Sequence, residues 1–274
     1  MQLDRIAIAR ELGVSPAFDA QAEAARRVDF LCTYLVQSRM DCLVLGISGG
    51  VDSTVAGRLC QLAVYKARPQ RAGAKFVAMR LPYGSQADEQ DARRALEFID
   101  PDEVLTVNIQ PASDAMLASL KAAGQAFEHA SQEDFVLGNI KARQRMIAQY
   151  AVAGARRGLV IGTDHAAEAL MGFFTKFGDG ACDVAPLSGL TKGRVRELAS
   201  HLGAPAELVR KIPTADLETL RPQLPDESAF GVGYDEIDAF LEGRPVPEST
   251  LAIIERFYLA SRHKRTLPVQ PEQN

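Results

Sequence analysis

Cysteine is sparse: Cys32, Cys42, Cys60 and Cys182 lie far apart in 274 residues, with no C-x-x-C pair. That spacing argues against a disulfide framework and a zinc knuckle, and leaves buried free thiols as the reading. No apolar run approaches the length of a bilayer span, and Met1-Gln-Leu-Asp-Arg5 lacks the apolar core of a secretion signal. The expectation is a cytoplasmic protein with no membrane partner. A basic excess is missing too. The net charge of −4 and pI near 5.7 speak against a nucleic-acid partner, and Arg26-Arg27 and Arg156-Arg157 read as solvated helix ends. No internal repeat or linker stands out, and 47% hydrophobic with 24% charged residues is ordinary for one globular domain.

What is present is organised around residues 41 to 54. Cys42-Leu-Val-Leu45 is a short apolar run, as a parallel strand buried on both faces requires. Three glycines follow, Gly46, Gly49 and Gly50, with Ile47 and Ser48 among them. Then Val51, Asp52 and Ser53 open a helix whose apolar face is Val55, Leu59, Leu62 and Ala63. A glycine-rich turn at a helix N-terminus leaves N–H groups free for an anion. Asp52 is badly placed to hold a bare phosphate but well placed to hold Mg²⁺ beside one. Gly46-Ile-Ser-Gly-Gly50 also fits the G-x-S-x-G elbow of serine hydrolases, and a plain packing turn is a third reading. No Gly-Lys-Ser/Thr follows, so this is not a Walker A loop.

Further strands are expected at 75–79, 103–107 and 158–162, with helices at 3–13, 18–39, 51–66, 86–98, 112–123, 134–157, 191–202, 234–242 and 247–261. Residues 184–187 could form another short strand. The order predicts an α/β fold of the Rossmann-like kind, an open parallel sheet with helices on both faces. A helical arm of about 1–40 precedes a nucleotide-binding core of about 41–204. Residues from about 205 to 274 form a loop and C-terminal helices. Three prolines, Pro213, Pro222 and Pro225, mark 212–230 as an irregular, functional loop expected to order on ligand binding. Ligands of such a sheet sit beyond the strands' carboxyl ends, which brings together 46–53, 80–86, 163–168 and the loop after Phe173. Glu168 could there join Asp52 as a second metal carboxylate. Of the four histidines, His129 and His201 read as surface residues. His165, adjacent to Asp164, suits a hydrolase triad badly.

Ser48-Gly-Gly-Val-Asp-Ser53 resembles the PP-loop, S-G-G-x-D-S, of ATP pyrophosphatases. Gly138-Asn-Ile-Lys-Ala-Arg143, Val160-Ile-Gly-Thr-Asp-His-Ala-Ala-Glu168, Gly172-Phe-Phe-Thr-Lys176-Phe-Gly-Asp179-Gly-Ala-Cys-Asp183, Pro186-Leu-Ser-Gly-Leu-Thr-Lys192, Ile212-Pro-Thr214 and His263-Lys-Arg265 extend the likeness from about residue 20 to 268. Together they resemble the ammonia-dependent NAD synthetases. The resemblance implies ATP-dependent amidation of deamido-NAD by ammonia through an adenylate, giving NAD, AMP and pyrophosphate. It implies Mg²⁺ on Asp52 and Glu168, and a homodimer with the dinucleotide at its interface. It places ATP on Gly46, Ile47, Ser48, Gly49, Gly50, Val51, Asp52, Ser53, Arg80, Gln86, Thr163, Lys192 and Thr214. Deamido-NAD falls to Arg143, Lys176, Asp183, His263 and Lys264, with Asp52, Lys192 and Asp179 catalytic. No stretch of glutaminase size is evident, so free ammonia is the implied nitrogen source. Another PP-loop enzyme, or a nucleotide sensor without turnover, is the alternative.

Overall fold

The chain is described by a computed structural model at residues 4–84, 88–214, 217–266 and 268. Its strands are β1 (Cys42–Gly46), β2 (Lys75–Arg80), β3 (Glu103–Thr106) and β4 (Gly158–Val160). The sheet order is β3-β2-β1-β4 and every pairing is parallel; Val44 lies opposite Val77 on one side and Val160 on the other. The helices are α1 (Arg5–Glu11), α2 (Ala20–Gln37), α3 (Val51–Ala67), α4 (Glu89–Ile99), α5 (Gln110–Ala122), α6 (Ala130–Arg156) and α7 (Ala166–Met171). They continue with α8 (Lys192–His201), α9 (Ala206–Val209), α10 (Asp226–Phe230), α11 (Tyr234–Leu241), α12 (Glu248–Ala260) and α13 (Arg262–Arg265).

The apolar run of β1 is explained by its central place. Leu43 and Leu45 pack into a core with α2, α3 and α8, while Cys42 and Val44 pack into a second core with Val77, Met79 and Ala153 of α6. Burial on both faces removes the need for alternation. Each fully buried leucine or phenylalanine contributes roughly 1.5–3 kcal/mol. Edge strand β3 alternates instead, with Val104 exposed. The third core joins α7, α10, α11 and α12 through Leu170, Phe230, Tyr234 and Ile254, and it fixes the C-terminal helices against the site. No helix among the described residues is long and apolar enough to cross a membrane.

The open parallel sheet with helices on both faces is as expected. Five local expectations need correction. β4 ends at Val160: Ile161 still donates its N–H to the Val44 carbonyl of β1 at 2.9 Å, but beyond it the chain makes only an isolated parallel bridge, Ile161 to Val184, and that bridge is all that stands at the expected strand 184–187. α6 begins at Ala130, well before 134, because His129 Nδ1 accepts the Gln132 N–H while Gln132 Oε1 accepts the Glu128 N–H. Residues 212–230 are not irregular throughout. They hold a Thr214–Pro225 bridge and α10, which starts after Pro225, where a missing N–H does no harm. Arg27 is buried rather than solvated: it pairs with Glu23 and donates to the carbonyls of Pro186 and Ser188, tying α2 to the segment before α8.

Candidate functional site

The turn after β1 is held from several sides. Gly46 donates its N–H to Gln149 Oε1 of α6 at 2.8 Å. Ser48 Oγ lies 3.1 Å from Ser53 Oγ and accepts the Gly50 N–H at 3.2 Å. Gly49 has φ +87°, and a Cβ there would come within 2.6 Å of the Ala92 nitrogen. Only glycine fits, on conformation and on space. The carbonyl of Ile47 accepts from Arg80, which also pairs with Glu89 at 2.6 Å and is almost wholly buried. Arg80 therefore braces the loop from behind and does not line the cleft.

That cleft, of about 290 Å³, is lined by Gly46, Ile47, Ser48, Gly50, Val51, Asp52 and Ser53 together with Thr163, Glu168, Asp179 and Thr214. The strand-end rule thus brought distant segments together correctly. Gln86 lies outside the described residues. Behind the cleft wall, Lys192 Nζ donates to Asp52 Oδ1 and Oδ2 at 2.9 and 2.7 Å, and its side chain is fully buried. Burial works to raise the Asp52 carboxyl, but the Lys192 ammonium outweighs it and holds Asp52 below the usual carboxylate range. Burial lowers Lys192, yet Asp52 and then Glu168 bring it out above its ordinary value. Glu168 and Asp164 are pushed well above the carboxylate range, by burial first and then by neighbouring carboxylates.

His165 was discounted on sequence and belongs here. Its Nδ1 accepts the Glu168 N–H at 3.5 Å, capping α7, and its Nε2 is 3.6 Å from both Asp52 Oδ1 and Glu168 Oε1. Burial and then the Lys192 cation push it down to about 3, so the ring is neutral. The donor atoms of Asp52, His165 and Glu168 lie within 4.8 Å of one another, a grouping able to hold a metal ion. Five carboxyls, Asp52, Asp164, Glu168, Asp179 and Asp226, crowd around Lys192 and each other. That imbalance and the oxygen-rich donor set suit a hard divalent cation such as Mg²⁺.

A second cavity of about 310 Å³ adjoins the first, sharing Phe173, Asp179 and Leu217. Asp179 accepts the Thr175 N–H at 3.0 Å. Its carboxyl opens to the cavities, yet the protein crowded around it raises it above the usual carboxylate range. Lys264 lines the second cavity and donates to the Gly172 and Phe174 carbonyls at 2.9 Å. Exposed Arg143 donates to the Lys176 carbonyl, and Lys176 donates to that of His263, so these three form one surface chain. Asp183 stands apart from both cavities; it accepts the Val160 N–H at 2.7 Å and caps β4. The sequence reading also missed Asp134 and Lys141. Asp134 accepts the N–H groups of Thr219 and Leu220, and Lys141 donates to the Leu217 carbonyl and Thr219 Oγ1, pinning the segment that walls both cavities. A period-3.6 pattern carries no signal for such backbone-directed contacts.

Comparison with known proteins follows the same outline. The family model described as NAD synthase matches residues 23–268. An NH₃-dependent NAD⁺ synthetase of Burkholderia pseudomallei is 64% identical over 264 residues, 96% of this chain and 93% of that one. The crystal structure of NAD⁺ synthetase from Burkholderia pseudomallei superposes with a TM-score of 0.83 at 62% identity, covering 96% of each chain. NMN synthetase from Francisella tularensis gives 0.81 at 36% identity, covering 94% of this chain and all (100%) of that one. With the family model spanning most of the chain and a relative 64% identical over 96% of it, this protein belongs to the NAD synthase family.

Proposed function

We propose that the chain is an ATP-dependent ligase that amidates deamido-NAD with free ammonia. The observation that carries this reading is the meeting of the glycine-lined turn with Asp52 and Glu168 in one cleft, with Lys192 buried behind Asp52, in a chain so similar to NH₃-dependent NAD⁺ synthetases. A nicotinate carboxylate oxygen attacks the α-phosphorus of ATP, and the bond to the α–β bridging oxygen breaks, releasing pyrophosphate. Ammonia then attacks the acyl carbon of the adenylate, AMP departs with the bond electrons, and the nitrogen sheds a proton.

Each residue has a physical task in this scheme. The loop from Gly46 to Ser53 offers backbone N–H groups and the N-terminus of α3 to phosphate charge. Ser48 acts as a phosphate ligand, not as a nucleophile. Lys192, buried behind Asp52, directs its positive charge toward the charge building on the departing pyrophosphate. Asp52 and Glu168 fit Mg²⁺, which when bound would neutralise phosphate oxygens. His165 stays neutral and orients both carboxyls. Thr163 and Thr214 line the ATP side; Arg80 acts through the loop. The second cavity and the Arg143–Lys176–His263 chain take deamido-NAD, with Lys264 at the join and Asp179 near the acyl carbon. Asp183 acts here only by holding β4.

The finer partner assignment is a homodimer. Met116 of α5 and Phe135 and Ile147 of α6 are exposed, as are Val104 of β3 and Val107 just after it. An apolar surface of this kind favours association, and α6 also carries Arg143, which would bring the dinucleotide site to the interface. This reading places the enzyme in the cytoplasm, where ATP is supplied. The test is direct: purified protein with ATP, Mg²⁺, ammonium and deamido-NAD should yield NAD, AMP and pyrophosphate, with glutamine far poorer as donor. Absence of NAD over a range of pH would overturn the proposal, and turnover of another acid instead would favour a different PP-loop enzyme.

A further inference from the structure

Tyr234, Asp238 and Glu242 follow one another at i, i+4 and i+8, along one face of α11 and its C-terminal cap. All three meet residues 191–194, the start of α8. The Tyr234 ring centre lies 5.1 Å from Lys192 Nζ. Asp238 accepts the Lys192 N–H on Oδ1 at 3.0 Å and the Gly193 N–H on Oδ2 at 2.6 Å. Glu242 Oε1 accepts from Thr191 Oγ1 at 3.0 Å and pairs with Arg194 Nε at 3.2 Å.

An α-helix begins with N–H groups that lack an intrahelical partner. In α8, Thr191 takes the Arg194 N–H as an ordinary N-cap does. The two amides before it are taken by a carboxylate from a different helix, and one of them is the amide of Lys192 itself. The grip therefore fixes the backbone from which the buried lysine projects. The ring of Tyr234, one turn earlier on α11, lies beside the ammonium at the other end of the same side chain. A lysine has four rotatable side-chain bonds and normally holds no single geometry; here its amide and its ammonium are both held by α11. Asp238 is itself nearly fully buried, and burial pushes its carboxyl up to about 6. A stable helix start could be capped without accepting that unfavourable charge.

We propose that Asp238 is a positioning residue for the adenylation step, acting through Lys192, with Tyr234 as the second support of the same lysine. This rests on the ligase reading above. Asp238 does not line the cleft.

The experiment measures steady-state NAD formation by wild-type, Asp238→Ala and Asp238→Asn enzymes, each with its folded fraction determined by circular dichroism. Because Lys192 acts on charge present only as pyrophosphate leaves, the loss should fall on kcat. The expected result for Asp238→Ala is a kcat at least tenfold lower, with KM for ATP and deamido-NAD within about twofold of wild type. Asp238→Asn keeps one acceptor oxygen and should lose less, by about threefold or more. A merely structural role would lower the melting temperature and leave kcat of the folded fraction intact, which overturns the proposal. If Asp238→Ala does not fold, Asp238→Asn decides by the same criterion, and a wild-type kcat there is fatal. Failure of the wild-type enzyme to make NAD would instead sink the ligase reading, so the two outcomes stay separate.

Discussion

Replacing Lys192 by methionine keeps the apolar stem and removes only the ammonium, so it isolates the buried charge behind Asp52. In the wild-type protein Lys192 is fully buried and donates to both oxygens of Asp52, at 2.9 and 2.7 Å. Removing one partner of a buried pair leaves the other uncompensated, which typically costs about 3–5 kcal/mol. Glu168 cannot relieve Asp52, since it is a carboxyl itself. The pH dependence gives the sharper test. In the wild type Asp52 is depressed, so it contributes stability above its unfolded pKa, and that is lost as pH falls through the folded value. Without the ammonium, burial, the largest influence, is opposed only by the His165 ring and a backbone hydrogen bond and should raise Asp52 above its unfolded value. Its contribution is then present at low pH and lost as pH rises. Lys192→Met should therefore be destabilised most near pH 8 and least near about pH 4. Mg²⁺ should stabilise the variant more than the wild type, because a cation can replace the missing charge. Urea unfolding at both pH values, with Mg²⁺ or EDTA, measures this. A variant whose deficit is the same at both pH values would refute the buried-pair reasoning.

Other consequences are narrower. Gly49→Ala should cost more than about 2 kcal/mol and abolish turnover, since φ is +87° and the added Cβ meets backbone atoms of Asp91 and Ala92; thermal unfolding and the NAD assay check both. Asp238 is raised, so its contribution is present below its unfolded pKa and lost as pH climbs through about 6. Asp238→Asn should erase that slope between about pH 4 and 6 in chemical denaturation. Asp134→Ala removes the acceptor for two backbone N–H groups of 217–220; cleavage there by a nonspecific protease should accelerate by about tenfold, as loss of about 1–2 kcal/mol of local stability predicts. Ile147→Asp should convert the proposed dimer to a monomer in light scattering, whereas an unchanged mass would remove α6 from the interface.

How far the sequence spoke for itself differs between sheet and site. β1 and α3 were legible because burial on both faces writes a continuous apolar run, and because a positive φ at Gly49 tolerates little but glycine. Asp52, Glu168 and Lys192 were reachable through topology and motif, since parallel strands deliver their loops to one edge. The failures share a cause. His165 was judged by its chain neighbour Asp164, whereas its surroundings are set by Asp52 and Lys192, far away in sequence. Arg27 was read as solvated because a helical pattern cannot show that a distant turn, 186–188, will cover it. Residues 212–230 looked irregular because three prolines forbid regular structure locally, yet Asp134 and Lys141 supply from α6 the partners that the loop cannot make for itself. Local pattern reports what a residue does for its own element. The grip of α11 on Lys192 is invisible in it, because Asp238 bonds to backbone amides, which every residue but proline carries. Residues that work on another element's backbone leave no complementary side-chain type to recognise, so the supports of this site had to be found in three dimensions.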